Sequence, residues 1–374
     1  MESLNKITIS AEALRHNFAV CRHHAGDAGI LAMVKADAYG HGMIECAGIF
    51  VEEGAVALGV AEVVEGIKLR KAGFTVPVFI LAGIINQTSQ AAVENNLTPV
   101  VVDNSALGEL NKYARRAGKE IDIHVKLDAG MGRQGTLPEG IVALVKEIDA
   151  YPCLNTKGVL AHFPMADDRQ SSNSDDVLET FSSTARLIEK EIPHHCMYHI
   201  ANSGGLFYVR GAQFDMVRPG ISLYGCYPDG ETGRQAATKN LLKPAMCFTT
   251  SVIQVRNVDK GVGVGYGHSF FTGRPTTVAV IPVGYEDGYL RKLSNTAQVL
   301  INGHRAPVIG RISMNLTLID ATDVGPVNVG DQVVLLGPQG SEEITADEIA
   351  GWMDTINYEV LCLFGHMNDR VFID

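Results

Sequence analysis

No cluster of lysine and arginine breaks this sequence of 374 residues, whose formal net charge is −11. Binding a phosphate backbone takes grouped cations, so no nucleic-acid partner is expected. No apolar run is long enough to span a bilayer. The opening MESLNKITISAEAL has no basic segment leading into an apolar one, so neither membrane nor export signal is expected. The seven cysteines are dispersed, odd in number and never spaced as CxxC. That disfavours a disulfide framework and a zinc knuckle, and fits a reducing, cytoplasmic setting. CRHH (21–24) and HHC (194–196) with His199 carry ligand-type side chains at spacings that match no zinc pattern. They read as surface or loop histidines, and no metal is expected. Also missing are a glycine-rich fingerprint at the first strand-to-helix turn, a solenoid repeat and any low-complexity segment.

What is present is ordinary for a globular chain: 46% hydrophobic and 20% charged residues, enough for about two domains. Short apolar runs recur at 30–34, 55–60, 78–82, 98–103, 121–128, 158–163, 197–202 and 214–220. Most are continuous rather than alternating, as in strands buried on both faces of a parallel sheet. Amphipathic stretches such as AEVVEGIKLRK (61–71) lie between them. Strand and helix repeated eight times predict a (β/α)8 TIM-like barrel over residues 10–235, with an open doubly wound sheet as the alternative. From residue 236 the segments alternate and are separated by turn signals, which predicts a mostly antiparallel β domain over 236–374. The strand-like ITI (7–9) could pair with either domain.

In a β/α barrel the active site gathers at the C-terminal strand ends. There the sequence offers Lys35 and Tyr39, Lys126 followed by Arg133, His162, Ser203 before two glycines, and Arg218 before Gly220 and Ile221. Convergent cations, a hydroxyl and glycine-rich turns suit a phosphate-bearing anion. Lys35 closes a core strand in AMVKADAYGHG (32–42). Its amine would sit in a partly desolvated mouth, where the pKa falls and attack on a carbonyl becomes easier. Alone, such a lysine reads better as one reaching out to solvent. The phosphate-type donors around it reverse that, and phosphate plus an imine-forming lysine points to pyridoxal 5'-phosphate.

AMVKADAYGHG resembles the cofactor signature of the alanine racemases. DAGMGRQG, ANSGG, MVRPGISLYG, VGYG, IPVGYEDGY, GRISMN and NYEVLC follow in that family's order over nearly the whole chain. The resemblance implies a barrel followed by a β domain, and interconversion of L- and D-alanine that supplies D-alanine for cell-wall peptidoglycan. It also implies a homodimer with shared active sites. It gives Lys35 the imine to the cofactor, and Tyr39, Ser203, Gly220 and Ile221 the phosphate. Arg133 would contact the phenolic oxygen side and the substrate, His162 would lie against the ring, and Arg218 would face the pyridine nitrogen. A guanidinium stays charged and discourages protonation there, which suppresses side reactions such as transamination. Racemisation needs acid/base groups on two faces: Lys35 and, by the VGYG match, Tyr266, which in the family serves the other subunit's site. Tyr266 needs neighbours that favour the phenolate, a role expected of cationic His162 and Arg218. Met314 would meet the substrate carboxylate through its backbone. Lys126 matches a position often carbamylated, where the anion would hold Arg133; charge chemistry alone does not choose between that and a lysine paired with an acid.

Two positions depart from the family pattern. Asn315 stands where an aspartate is common, and ungapped alignment puts His366 where a tyrosine near the phosphate is usual. Both bear on side-chain specificity, so a serine or broad-specificity racemase remains the alternative. Arg218 argues against a decarboxylase of this architecture. The β domain with Tyr266 argues against a non-catalytic pyridoxal-binding protein.

Overall fold

The computed structural model describes residues 3–236 and 241–374. Strand β1 (Lys6–Ser10) leads into a helix, Ala11–Ala25, that Ser10 caps by accepting the Ala13 N–H at 3.1 Å. Eight parallel strands follow: β2 (Gly29–Met33), β3 (Ala57–Val60), β4 (Val78–Ile80), β5 (Thr98–Val101), β6 (Ile121–Lys126), β7 (Leu154–Leu160), β8 (Met197–His199) and β9 (Met216–Val217). Each pairs with its neighbour in chain order from β2 to β8, and β9 pairs back onto β2. Asp215 N–H to Tyr198 O (3.1 Å) and Arg218 N–H to Ala201 O (2.8 Å) join the last two strands and close the ring. All eight expected runs carry a strand, and the barrel replaces the open-sheet alternative. The continuous apolar texture has its reason here: Ile30, Leu31, Ala32 and Val34 are all fully buried between the barrel interior and the helical layer.

The remaining strands are β10 (Met246–Ser251), β11 (Gln254–Val258), β12 (Gly263–Val264), β13 (Phe270–Phe271), β14 (Thr276–Ile281), β15 (Gln298–Ile301), β16 (His304–Pro307), β17 (Thr317–Asp320), β18 (Gln332–Gln339), β19 (Glu342–Ile344) and β20 (Arg370–Ile373). Their pairings are antiparallel. The exception is β20, which lies parallel to β1. On its other edge β1 runs antiparallel to β10, with Ile7 opposite Phe248. Along β10 alternate residues are buried, so one face packs on the core and the other does not.

Two helices in this region were not expected from the β texture: Ala346–Met353 and Asn357–Met367. The first has a sequence signal, the capping box Thr345-x-x-Glu348. Thr345 Oγ accepts the Glu348 N–H at 3.0 Å, and the Glu348 carboxylate accepts the Thr345 N–H at 3.0 Å. The second helix packs its backbone on the turn after β2. A Cβ at Gly365 would lie 1.8 Å from Gly40 O, and one at Gly40 would lie 2.4 Å from Leu361 O. Both positions therefore need glycine.

Candidate active site

The strand β2 ends where the backbone changes hand. Ala36, Asp37, Ala38 and Tyr39 all have φ between 51° and 55°, a left-handed helical turn built without glycine. Such a conformation costs roughly 1–2 kcal/mol per residue, so its surroundings must hold it. Gly40 N–H donates to Ala36 O (3.0 Å) and Gly42 N–H to Asp37 O (2.9 Å). Asp37 accepts the Met43 N–H at 2.8 Å and pairs with Arg370 at 2.7 Å, tying the turn to β20. The Tyr39 ring packs on Tyr224 at 5.0 Å, and the Tyr224 hydroxyl donates to Met33 O at 2.7 Å. Lys35 is thereby set at the barrel mouth, its ammonium nitrogen 5.9 Å from the Tyr39 ring centre.

Lys35, Tyr39, Lys126, Arg133, His162, Ser203, Arg218, Gly220 and Ile221 line one cavity of about 560 Å³. It holds four cationic side chains and no carboxylate, although the whole chain is acidic. Burial and then Arg133 pull the Lys35 amine below the ordinary lysine value. Burial, Arg133, Arg218 and Lys35 bring Lys126 down to about 8. Lys126 donates to Gln134 Oε1 at 3.0 Å, so an amide takes the place of the acid partner one sequence reading allowed.

Arg218 is 4% exposed. Its Nη1 donates to His199 O (2.8 Å) and Nη2 to Ala161 O (2.7 Å) and Ile200 O (3.2 Å). These carbonyls are its counterweight, and burial still lowers it to about 10. Nη1 also donates to His199 Nδ1 at 3.0 Å. Because a guanidinium cannot accept, the His199 proton sits on Nε2, which donates to His124 Nδ1 at 3.0 Å. Burial and Arg218 keep both rings neutral: His124 falls to about 3, and His199 well below the ordinary imidazole value. This corrects the reading of His199 as a surface or loop residue, since period-two strand geometry turns it into the barrel. His162, 3.4 Å from Arg218 Nη2, is held neutral by burial and then by Arg218 and Arg133. Of the two cations expected to favour a phenolate, only Arg218 carries charge.

At the far end, Ser203 Oγ accepts the Gly220 N–H at 2.9 Å, and Ser222 Oγ is buried without a partner. A Cβ at Gly220 would lie 2.2 Å from the Tyr39 hydroxyl. This is a cradle of hydroxyl groups and backbone N–H with room kept open by glycine, as a phosphate requires.

Three sequence candidates lie outside the cavity. Tyr266 and Met314 are exposed in the second sheet region. His366 sets its Nε2 3.1 Å from Ala36 O, on the outer side of the left-handed turn. From the same helix it is Tyr358 and Cys362, one turn apart, that line the cavity. Tyr358 was within a quoted motif, NYEVLC, but a helical reading was needed to aim it inward.

Residues 9–228 match the family model described as alanine racemase, N-terminal domain, and residues 245–372 match alanine racemase, C-terminal domain. The chain is 40% identical to the alanine racemase of Syntrophobacter fumaroxidans, covering 98% of this chain and 96% of that protein. It superposes on the alanine racemase from D-cycloserine-producing Streptomyces lavendulae with a TM-score of 0.94 at 32% identity, over 100% and 98% of the two chains. With alanine racemase from Bartonella henselae, solved with covalently bound pyridoxal phosphate, the TM-score is 0.88 at 30% identity, over 99% of each. With both domain models matched in order and likeness spanning nearly the full length, the cationic barrel mouth belongs to an amino-acid racemase, and the chain is a member of the alanine racemase family.

Proposed function

We propose that this enzyme interconverts L- and D-alanine with pyridoxal 5'-phosphate, by a two-base mechanism in a cytoplasmic homodimer, and supplies D-alanine for cell-wall peptidoglycan. The observation that carries the reading is the cavity itself: a lysine with a lowered pKa among further cations, facing a hydroxyl and N–H cradle. The residues present fit the cofactor. Ser203, Tyr39, Gly220 and Ile221 would hold its phosphate, Arg133 its phenolic oxygen side, His162 its ring face and Arg218 its pyridine nitrogen. When bound, the cofactor supplies an electron sink that acidifies the α-proton of an attached amino acid.

The chain's own groups do the rest. Lys35, whose neutral amine burial favours, would supply the nucleophile that holds the cofactor's carbonyl carbon and, once released, the group that moves a proton at one face of the α-carbon. Arg218 offers only donors, so a ring nitrogen facing it stays unprotonated. Tyr266 serves the opposite face from the partner subunit, and the Met314 backbone receives the substrate carboxylate. Lys126, neutral above about pH 8, is a competent nucleophile for carbon dioxide. A carbamate there would place an anion among Arg133, Arg218 and Lys35. His366 grips the turn that presents Lys35 rather than the phosphate, and Tyr358 takes the inward position on that helix. A serine or broad-specificity activity is the second reading, favoured by Asn315, whose amide donates to Glu286 where the family commonly has an aspartate.

Borohydride treatment of the purified chain, followed by peptide mapping, should fix the cofactor on Lys35 and bleach its visible band. Fixation on another lysine would sink the assignment. Parallel assays with alanine and serine decide between the two specificities.

A further inference from the structure

The left-handed turn is also gripped at the Lys35–Ala36 peptide, next to the lysine itself. Glu65, in the first turn of the helix Val63–Lys71, reaches back across the barrel mouth. Its Oε1 accepts the Ala36 N–H at 2.7 Å. Its Oε2 accepts the N–H groups of Ala61 (2.8 Å) and Glu62 (3.0 Å), at the end of the neighbouring strand β3. One carboxylate therefore ties the Lys35 turn to the next barrel strand. On the opposite side of the same residue, Ala36 O meets His366 Nε2 at 3.1 Å. As an N-terminal helix residue, Glu65 reads simply as half of a capping box. That explains the Glu62 N–H, but not the bond to Ala36, 29 positions earlier.

The charge matters as well as the grip. Arg133 and Arg218 press the Lys35 amine toward the neutral form, as does burial. Tyr39, Lys126 and His162 share the cavity with it, and none of them is a carboxylate. Of the groups acting on it most strongly, Glu65 and Cys362 favour the charged form, and only Glu65 is a carboxylate.

We propose that Glu65 is a positioning residue for Lys35: its carboxylate holds the left-handed turn through the Ala36 N–H, ties it to the end of β3 and places a negative charge against the peptide that adjoins the lysine, which rests on Lys35 being the cofactor-binding lysine. Gln keeps the size of Glu65 but loses the charge and one acceptor oxygen. Asp keeps the charge but is one methylene too short to hold Ala36 and the β3 end together.

The test uses the full-length chain, treated with hydroxylamine to free any carbonyl adduct. Hydrogen–deuterium exchange reports the Ala36 amide, and trace acetylation across pH, read by mass spectrometry, reports the Lys35 amine. In Glu65→Gln the Ala36 amide should exchange about tenfold faster or more, as expected on losing a hydrogen bond to a charged acceptor. The Lys35 midpoint should move to lower pH, because the group favouring its ammonium is gone. Glu65→Asp should speed Ala36 exchange while leaving the midpoint nearer to wild type, and it serves if the Gln variant does not fold. A purely structural role would alter exchange and melting without moving the Lys35 midpoint. That result, or unchanged exchange at Ala36, overturns the proposal. Borohydride mapping of the wild-type holoenzyme is the independent control. Label on Lys35 with no effect of Glu65 rejects only the positioning role, and label elsewhere rejects the reading beneath it.

Discussion

The barrel mouth and the tip of the second sheet region are built by opposite rules. Arg218 is 4% exposed and its charge is met by three carbonyls. Tyr266 is 70% exposed and Met314 53%. A buried cation must be satisfied as the chain folds, so its position is set before anything binds. An exposed tyrosine costs the fold little, and it acquires a chemical environment only when another surface covers it. Within one chain, then, the groups that would hold an anion are prefabricated, and the group assigned to the second face is merely presented.

Mixing two inactive variants tests that contrast most severely. Lys35→Ala and Tyr266→Phe homodimers should each lose racemisation by at least about a thousandfold. Combined under conditions that exchange subunits, they should recover roughly a quarter of wild-type activity, since half the dimers are mixed and each has one intact site. If heterodimers form and nothing returns, Tyr266 does not act across subunits. Next in size is a stability difference. A Cβ at Gly158 would lie 2.4 Å from the His124 ring, so Gly158→Ala should cost about 1–3 kcal/mol by overpacking the barrel. Tyr266→Phe should stay within about 0.5 kcal/mol of wild type. Thermal melts of the two, run side by side, check this; equal melting temperatures would mean the barrel interior is not as tightly fitted as described. The smallest effect is at Asn315. Its exchange for Asp sets two carboxylates together at an exposed site beside Glu286, worth less than about 1 kcal/mol. The ratio of alanine to serine turnover is the sensitive readout, and a change of tenfold or more would show that this position governs specificity directly.

The barrel was legible because strands buried on both faces are largely apolar, and eight such short runs recur with amphipathic stretches between them. Lys35, His162, Ser203 and Arg218 were legible because they stand at or just past the ends of such runs, and Arg133 because it falls in the turn after one. The left-handed turn was not. Ala and Tyr carry no local preference for positive φ, and the turn is held by partners that local sequence does not reveal, among them Arg370 on Asp37, Glu65 on Ala36 and Tyr224 on Tyr39. Glu65 was hidden because its partner lies far away in sequence. His366 was misaimed for a geometric reason: counting along the chain ignores that a helix carries it past the cavity by a turn beyond Cys362.

The place of β1 has a consequence for how the molecule is made. This early strand finds its two neighbours only in β10 and β20, so it must wait while all eight barrel strands are synthesised and paired. The barrel, whose strands pair mainly with the next in line, can close as it emerges. The second sheet closes on the longest loop the chain offers and should be the slow event. Cutting before Arg370 would leave β1 with one edge bare and remove the partner of Asp37. Through Arg370, β20 thus couples completion of the second sheet to the geometry of the left-handed turn.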